Sequence, residues 1–271
     1  MLKKVLVPLH FHESKDYFTK MFRFLQELGT DRAVLLHVGS NKGRGGAHNR
    51  ARLTRYAEHI EGLGVRTELA VRPGSVQLEI VYAAEEFEAD YISFSFRKKN
   101  RLSLAILGST VKDVIRQSRI PVFVFKGTGR SEDDLFRVLY PSSLKWKDDV
   151  IASYIRNNEF RANEVDFLYV GKRAPDPVVE QQRRDRVEEE LQELSRRCGY
   201  SEENSSTLNL LGSPRKQIVR VARRRSSNLV LLGKADSMSS REPVLGSTAE
   251  EVSYNAPCSV LIVPRDGGMV K

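Results

Sequence analysis

The residues best placed to do chemistry lie near the carboxyl end, in the run "LLGKADSMSSREPVLGSTAEEV". Leu229 to Leu232 reads as a short β-run that stops at Gly233, where the missing Cβ permits a turn. A polar stretch follows, and a helix restarts behind Gly246, Ser247 and Thr248. Ser247 and Glu250 stand at the S-x-x-E spacing of a capping box, with Ser247 accepting from first-turn amides and Glu250 reaching back. A strand end, a loop and a glycine-led helix start together offer backbone N–H groups and the positive end of a helix dipole. Phosphate is the anion such a place suits, although an ordinary, well-capped strand-to-helix connection has the same sequence.

The elements that must position these residues are written twice. L-G-S-T occurs at Leu107 to Thr110 and again at Leu245 to Thr248, 138 residues apart. The same offset carries Gly74-Ser75 onto Gly212-Ser213, Ile80 onto Ile218, Asp90 onto Asn228, and Val122-Phe123-Val124 onto Val260-Leu261-Ile262. A register kept that long marks an internal repeat. Each copy reads as five strands alternating with four helices. In the first, the strands are "KVLVPL", "AVLLHV", "VRTELAV", "YISFSF" and "VFVF". Phe18, Met21, Phe22, Leu25 and Leu28 form a helical stripe, the basic, glycine-rich "GSNKGRGGAHNR" is expected as a loop before a helix ending at Glu61, and another helix runs from Ser75 to Phe87. The second copy has "FRVLYP", "VDFLYV", "STLNLL", "NLVLLG" and "SVLIV", with a helix bearing Val150, Ile151, Tyr154 and Ile155, and an outer, highly charged helix that buries Val187, Leu191 and Leu194. Nearly continuous apolar strands alternating with helices imply a parallel sheet covered on both faces, with ligands at the carboxyl ends of strands near a switch point. Two domains are expected, residues 1–127 and 134–271, joined by a linker at 128–133.

Composition narrows the class. The 271 residues hold no apolar run near the roughly 20 needed to cross a bilayer, and the opening stretch meets His10, His12 and Glu13 too early for a secretion signal. A cytoplasmic protein with no membrane partner is expected. Cys198 and Cys258 read as buried, reduced thiols. The formal net charge is +9, and the excess lies in residues 1–130, which carry 22 Lys and Arg against 13 Asp and Glu. Such an excess attracts acidic partners, and a solvated basic face has the same composition; nucleic acid is not expected as a partner. All five histidines fall in the first copy without metal-ligand companions, so no metal site is expected. Neither G-x-x-x-x-G-K-[ST] nor G-x-S-x-G occurs, and no catalytic residue is nominated.

These residues resemble the universal stress proteins, here as a tandem pair of adenine-nucleotide-alpha-hydrolase-like α/β domains, each with a five-stranded parallel sheet and helices on both faces. Members carry glycine, two residues, glycine, nine residues, then Gly-Ser or Gly-Thr, and the nucleotide-binding ones use this loop for the phosphates and ribose of ATP. The later copy has Gly233, Lys234, Ala235, then Asp236 in place of the second glycine, and Gly246-Ser247-Thr248 at the family's spacing. The earlier copy has Ser95 and Lys98 in place of the two leading glycines, then Gly108-Ser109-Thr110. Binding members place an aspartate two residues after the proline that ends the first strand. Here Pro8 leads to His10, and Pro141 is followed by Ser142 and Ser143.

By the same resemblance, Val38 and Val170 offer backbone atoms to an adenine. The resemblance also implies that Val122–Phe125 pairs antiparallel with Val260–Val263, making the chain a pseudo-dimer, and that two chains associate further. It implies a stress-response regulator with ATP or AMP in the second domain, magnesium only alongside ATP, and a degenerate first site. At most slow ATP hydrolysis would accompany binding. The alternative is a nucleotide-free scaffold acting through its basic first domain on a protein or acidic partner.

Overall fold

The computed structural model describes residues 2–96, 108–127, 135–144, 150–156, 162–234 and 246–264. The first repeat runs β1 (Lys4–Pro8), α1 (Lys15–Glu27), β2 (Arg32–Val38), α2 (Gly43–Glu61), β3 (Arg66–Arg72), α3 (Val76–Glu86), β4 (Tyr91–Ser95), α4 (Ser109–Gln117) and β5 (Val122–Phe125). The second runs β6 (Arg137–Pro141), α5 (Val150–Arg156), β7 (Glu164–Gly171), α6 (Pro177–Arg197), β8 (Ser205–Leu211), α7 (Pro214–Arg224), β9 (Leu229–Gly233), α8 (Ser247–Asn255) and β10 (Ser259–Val263). The segment 128–133 lies outside the described residues.

All ten strands join one sheet in the order β3-β2-β1-β4-β5-β10-β9-β6-β7-β8. Exchanging each strand for its counterpart reverses this order onto itself. Every pairing is parallel except the central one, β5 with β10. There Phe123 faces Leu261, with Val124 opposite Val260 and Val122 opposite Ile262. Phe123 and Leu261 are equivalent positions, so the two-fold axis relating the repeats passes through that pair. The antiparallel seam expected from the family resemblance is therefore present.

Alternation along β5 divides the core between the two faces of the sheet. Phe123 and Phe125 join the cluster under α1, α2, α5 and α6, whereas Val122 and Val124 join the cluster under α3, α4, α7 and α8. A side chain as large as Phe123, fully buried, contributes about 1.5–3 kcal/mol, and buried apolar residues line both faces of the central strands. On the first side Phe24 joins the halves, its ring centroid 5.5 Å from those of Phe123 and Phe136.

Matching polar anchors hold the first strand of each repeat. The Asp90 carboxylate accepts from the amides of Lys3 and Lys4 at 2.8 and 2.7 Å, and the Asn228 side-chain oxygen accepts from the Arg137 amide at 2.8 Å. Backbone turns match as well. Gly74 and Gly212, at φ 138° and 123°, lead into α3 and α7 through a conformation that a Cβ would oppose.

One expected element differs. The stretch read as a glycine-rich loop is mostly helix, because α2 begins at Gly43. Its first turn packs so closely on the connection leading into it that a Cβ on Gly46 would lie 2.3 Å from the Asn41 carbonyl carbon. Gly46 thus serves close approach. In the second repeat Asp176 caps α6, accepting from the Val178 and Val179 amides at 2.8 and 3.0 Å, as an N-cap aspartate should. The buried Glu180 carboxylate one turn on is held well below the usual range by hydrogen bonds from Arg183, the Ala174 amide and Arg184.

Candidate functional site

A cavity of about 270 Å³ opens at the carboxyl ends of β6, β7 and β9. The chain leaves β6 toward β7 and β8 on one side and returns to β9 on the other, so the crevice between β6 and β9 is a topological switch point. Pro141, Ser142 and Ser143 supply one wall, Val170 and Leu168 a second, and Leu232 and Gly233 a third. Thr248 closes it from α8, and Pro214 and Ile218 from α7.

Local geometry explains this convergence. The Ser142 amide donates to the Leu168 carbonyl at 2.8 Å, continuing the β6–β7 ladder one residue past the strand. Its hydroxyl accepts from the Leu144 amide at 3.1 Å, and Leu144 turns the chain away at φ 56°. Val170 is half-buried against the core at the end of β7. Six residues expected at the site from sequence, Pro141, Ser142, Ser143, Val170, Gly233 and Thr248, thus line one cavity. Tyr140, Leu168, Leu232 and Ile218 line it too, although their apolar character reads as plain core.

At the rim the helix start differs from the expected capping box. Gly246 is the N-cap of α8 at φ −58° and ψ 141°, Ser247 is the first helical residue, and the N-cap residue has no side chain to cap the end. Glu250 turns elsewhere, accepting the Lys112 ammonium at 2.7 Å. Among the described residues, no side chain caps the first-turn amides of α8 beside Thr248, which lines the cavity.

Lys234, which follows the first motif glycine, is engaged across the seam. Its amide donates to Val263 at 2.7 Å, and its ammonium reaches across the seam to the Arg116 carbonyl and, at 3.3 Å, the Ser118 carbonyl. These are the last carbonyls of α4, whose negative dipole end attracts a cation. Lys126 does the converse, donating to the Tyr254 and Ala256 carbonyls at the end of α8, at 2.8 and 3.4 Å. Asp236 and Lys98 lie outside the described residues.

The universal stress protein family model matches residues 1–126 and 158–264. The chain belongs to the universal stress protein family. A curated relative, universal stress protein MJ0577 of Methanocaldococcus jannaschii, is 27% identical over 155 residues, covering 46% of this chain and 96% of that protein. A universal stress protein from Archaeoglobus fulgidus superposes with a TM-score of 0.74 at 20% identity, over 98% of this chain and 99% of that one. A protein of Pseudomonas aeruginosa, PA1789, superposes with a TM-score of 0.76 at 16% identity, over 97% of this chain and 92% of that one. Both share the tandem fold.

In this universal stress protein the corresponding strand ends of the first repeat are furnished differently. Val38 ends β2, Ser95 ends β4, and Gly108 caps α4 ahead of Ser109 and Thr110, as the second repeat would have it. Leu9, however, stands where the second repeat has Ser142, and Phe94 where it has Leu232; both are buried. Bulk replaces room at those two places. His10 is exposed, and the next residue, Phe11, turns at φ 64° as Leu144 does. Its ring stacks on His37 at 4.2 Å beneath the Arg52 guanidinium at 4.3 Å.

Proposed function

We propose that this universal stress protein is a regulatory adenine-nucleotide binder whose ligand sits in the second unit, residues 134–271. The observation that carries the reading is the cavity at the β6/β9 switch point, bounded by the family's motif positions and rimmed by the glycine-led start of α8. Its walls are mostly apolar and suit a base and sugar. Its volume is at the small end for ligand pockets, so phosphates would extend outward to the α8 amides. In this reading the Ser142 and Ser143 positions replace the family carboxylate with neutral polar groups, which lessens repulsion toward phosphate. AMP fits the reading as well as ATP does, and magnesium enters only with ATP. The chain's own groups bind and orient; no residue is assigned to turnover.

The first unit, residues 1–127, is read as nucleotide-free. Leu9 and Phe94 favour this, and they keep alive the second reading for that unit, a scaffold for a protein or acidic partner.

The test is mass spectrometry of small molecules released from gently purified protein, followed by calorimetric titration with AMP and with ATP, each with and without magnesium. Micromolar to submillimolar binding to the full chain, weakened at least about tenfold by Val170→Trp, is expected, since the indole would fill the cavity. Absence of binding at millimolar AMP and ATP would leave the scaffold reading alone.

A further inference from the structure

α3 and α7 are equivalent helices at the two ends of one helical layer, separated by α4 and α8, and their exposed faces carry opposite character. On α3 the outward residues are Leu78, Tyr82, Glu85 and Glu86, with Leu78 40% and Tyr82 54% exposed. The same four positions on α7 are Lys216, Arg220, Arg223 and Arg224, all exposed. The sequence of α7 contains no acidic residue. Among the described residues, Arg225 just beyond the helix pairs with Asp166 at 3.7 Å, whereas Lys216, Arg220, Arg223 and Arg224 have no carboxylate within ion-pairing distance. On α3, Glu86 pairs with Arg72, and Glu85 has no cation in reach among the described residues.

We propose that the α3 face of one molecule docks on the α7 face of a second copy. The stems of Lys216 and Arg220 would cover Leu78 and Tyr82, whose ring also suits a guanidinium, while Arg223 and Arg224 meet Glu85 and Glu86. Charge selects this arrangement over its competitors: α3 on α3 sets carboxylates together, and α7 on α7 sets guanidinium groups together. One molecule cannot satisfy both of its own faces, because they lie at opposite ends of the layer. The contact is head-to-tail, so it leaves a free face at each end and propagates to an open chain, or a ring if the rotation closes.

Sedimentation velocity on the full-length chain tests this. Concentration-dependent growth past a dimer is expected at about 50 mM salt and is lost near about 500 mM, because screening acts on exposed charges. Tyr82→Arg with Glu85→Arg in one variant, and Arg220→Glu with Arg223→Glu in another, each leave a monomer. Mixing the two variants restores association, since each then offers the complement of the other; circular dichroism confirms that both fold. A wild-type chain that stays monomeric at low salt overturns the proposal, as does assembly unchanged in either variant. Retardation of an RNA or DNA oligonucleotide by a monomeric wild type, lost with Arg220→Glu and Arg223→Glu, also overturns it and assigns the α7 face to a polyanion.

Discussion

Lys112 and Glu250 occupy the same position in the two repeats, on α4 and α8, and their side chains meet across the seam at 2.7 Å. In a symmetric pair of identical chains, a residue this close to the axis would meet its own copy and set like charges together. A single chain escapes that restriction by carrying a lysine in one repeat and a glutamate in the other. The hydrogen bond that the Lys112 ammonium donates to Glu250 raises the Lys112 pKa, with Tyr254 adding to the effect.

Charge reversal at this pair gives the first prediction. Glu250→Lys is expected to lower the melting temperature, and Lys112→Glu with Glu250→Lys to recover most of the loss. The effect is a few degrees at most, because both side chains are about one-third exposed and screened. Since the Lys112 pKa is raised by folding, its contribution is full below the unfolded value of roughly 10.4 and fades as pH climbs through the folded value. Melts of wild type and the swapped pair across alkaline pH check this.

The crossed lysines are the second case. Lys126→Met and Lys234→Met each remove a cation from a helix C-terminus belonging to the other repeat. Each is expected to cost about 0.5–2 kcal/mol in urea unfolding. If Lys234 instead served an anion at the cavity, Lys234→Met would weaken AMP binding and leave stability unchanged.

Asp90 and Asn228 make a third. Asp90→Ala strands two strand-leading amides and Asn228→Ala one, so losses of about 1–3 kcal/mol are expected, larger at Asp90. Asn228→Asp is expected to be tolerated, because a carboxylate already performs this task in the first repeat. Equilibrium unfolding measures both.

Cys258 supplies a fourth. Burial pushes its thiol up to about 12, so it stays protonated where an unfolded thiol, near about 8.5, ionises. Stability linked to it is full below the unfolded value and declines as pH rises past it. Native protein at pH 8 is expected to leave Cys258 unmodified by a thiol-specific reagent, with labelling appearing only on unfolding; peptide mapping reads the result.

Much of this architecture was legible because the repeat constrained it twice over. The L-G-S-T pair set the 138-residue register, and that register carried strand onto strand and Asp90 onto Asn228, whose shared task the structure then shows. Pro141, Val170 and Gly233 could be placed at strand ends, and in a parallel sheet those ends meet. Apolar wall residues such as Leu232 and Ile218 were not legible as cavity, because the same residue types at the same spacing also pack solid cores. The partners of Lys234 were not legible for a different reason. Its target is a pair of carbonyls in the other repeat, and no local pattern records which backbone lies across a seam. The Ser247–Glu250 spacing was a true signature with the wrong outcome, since the helix starts one residue earlier than the box requires, with Gly246 as its N-cap, and a distant lysine claims the glutamate.

The position of β10 has a consequence for how the chain is made. It leaves the ribosome more than a hundred residues after β5, yet β5 has it as a partner and until then presents four buried apolar residues on an open edge. At ordinary elongation rates that edge waits on the order of ten seconds, long enough for two nascent first halves on one messenger to pair through β5. A truncated chain ending before Ser259 is expected to self-associate through that edge, and crosslinking at Phe123 would reveal it.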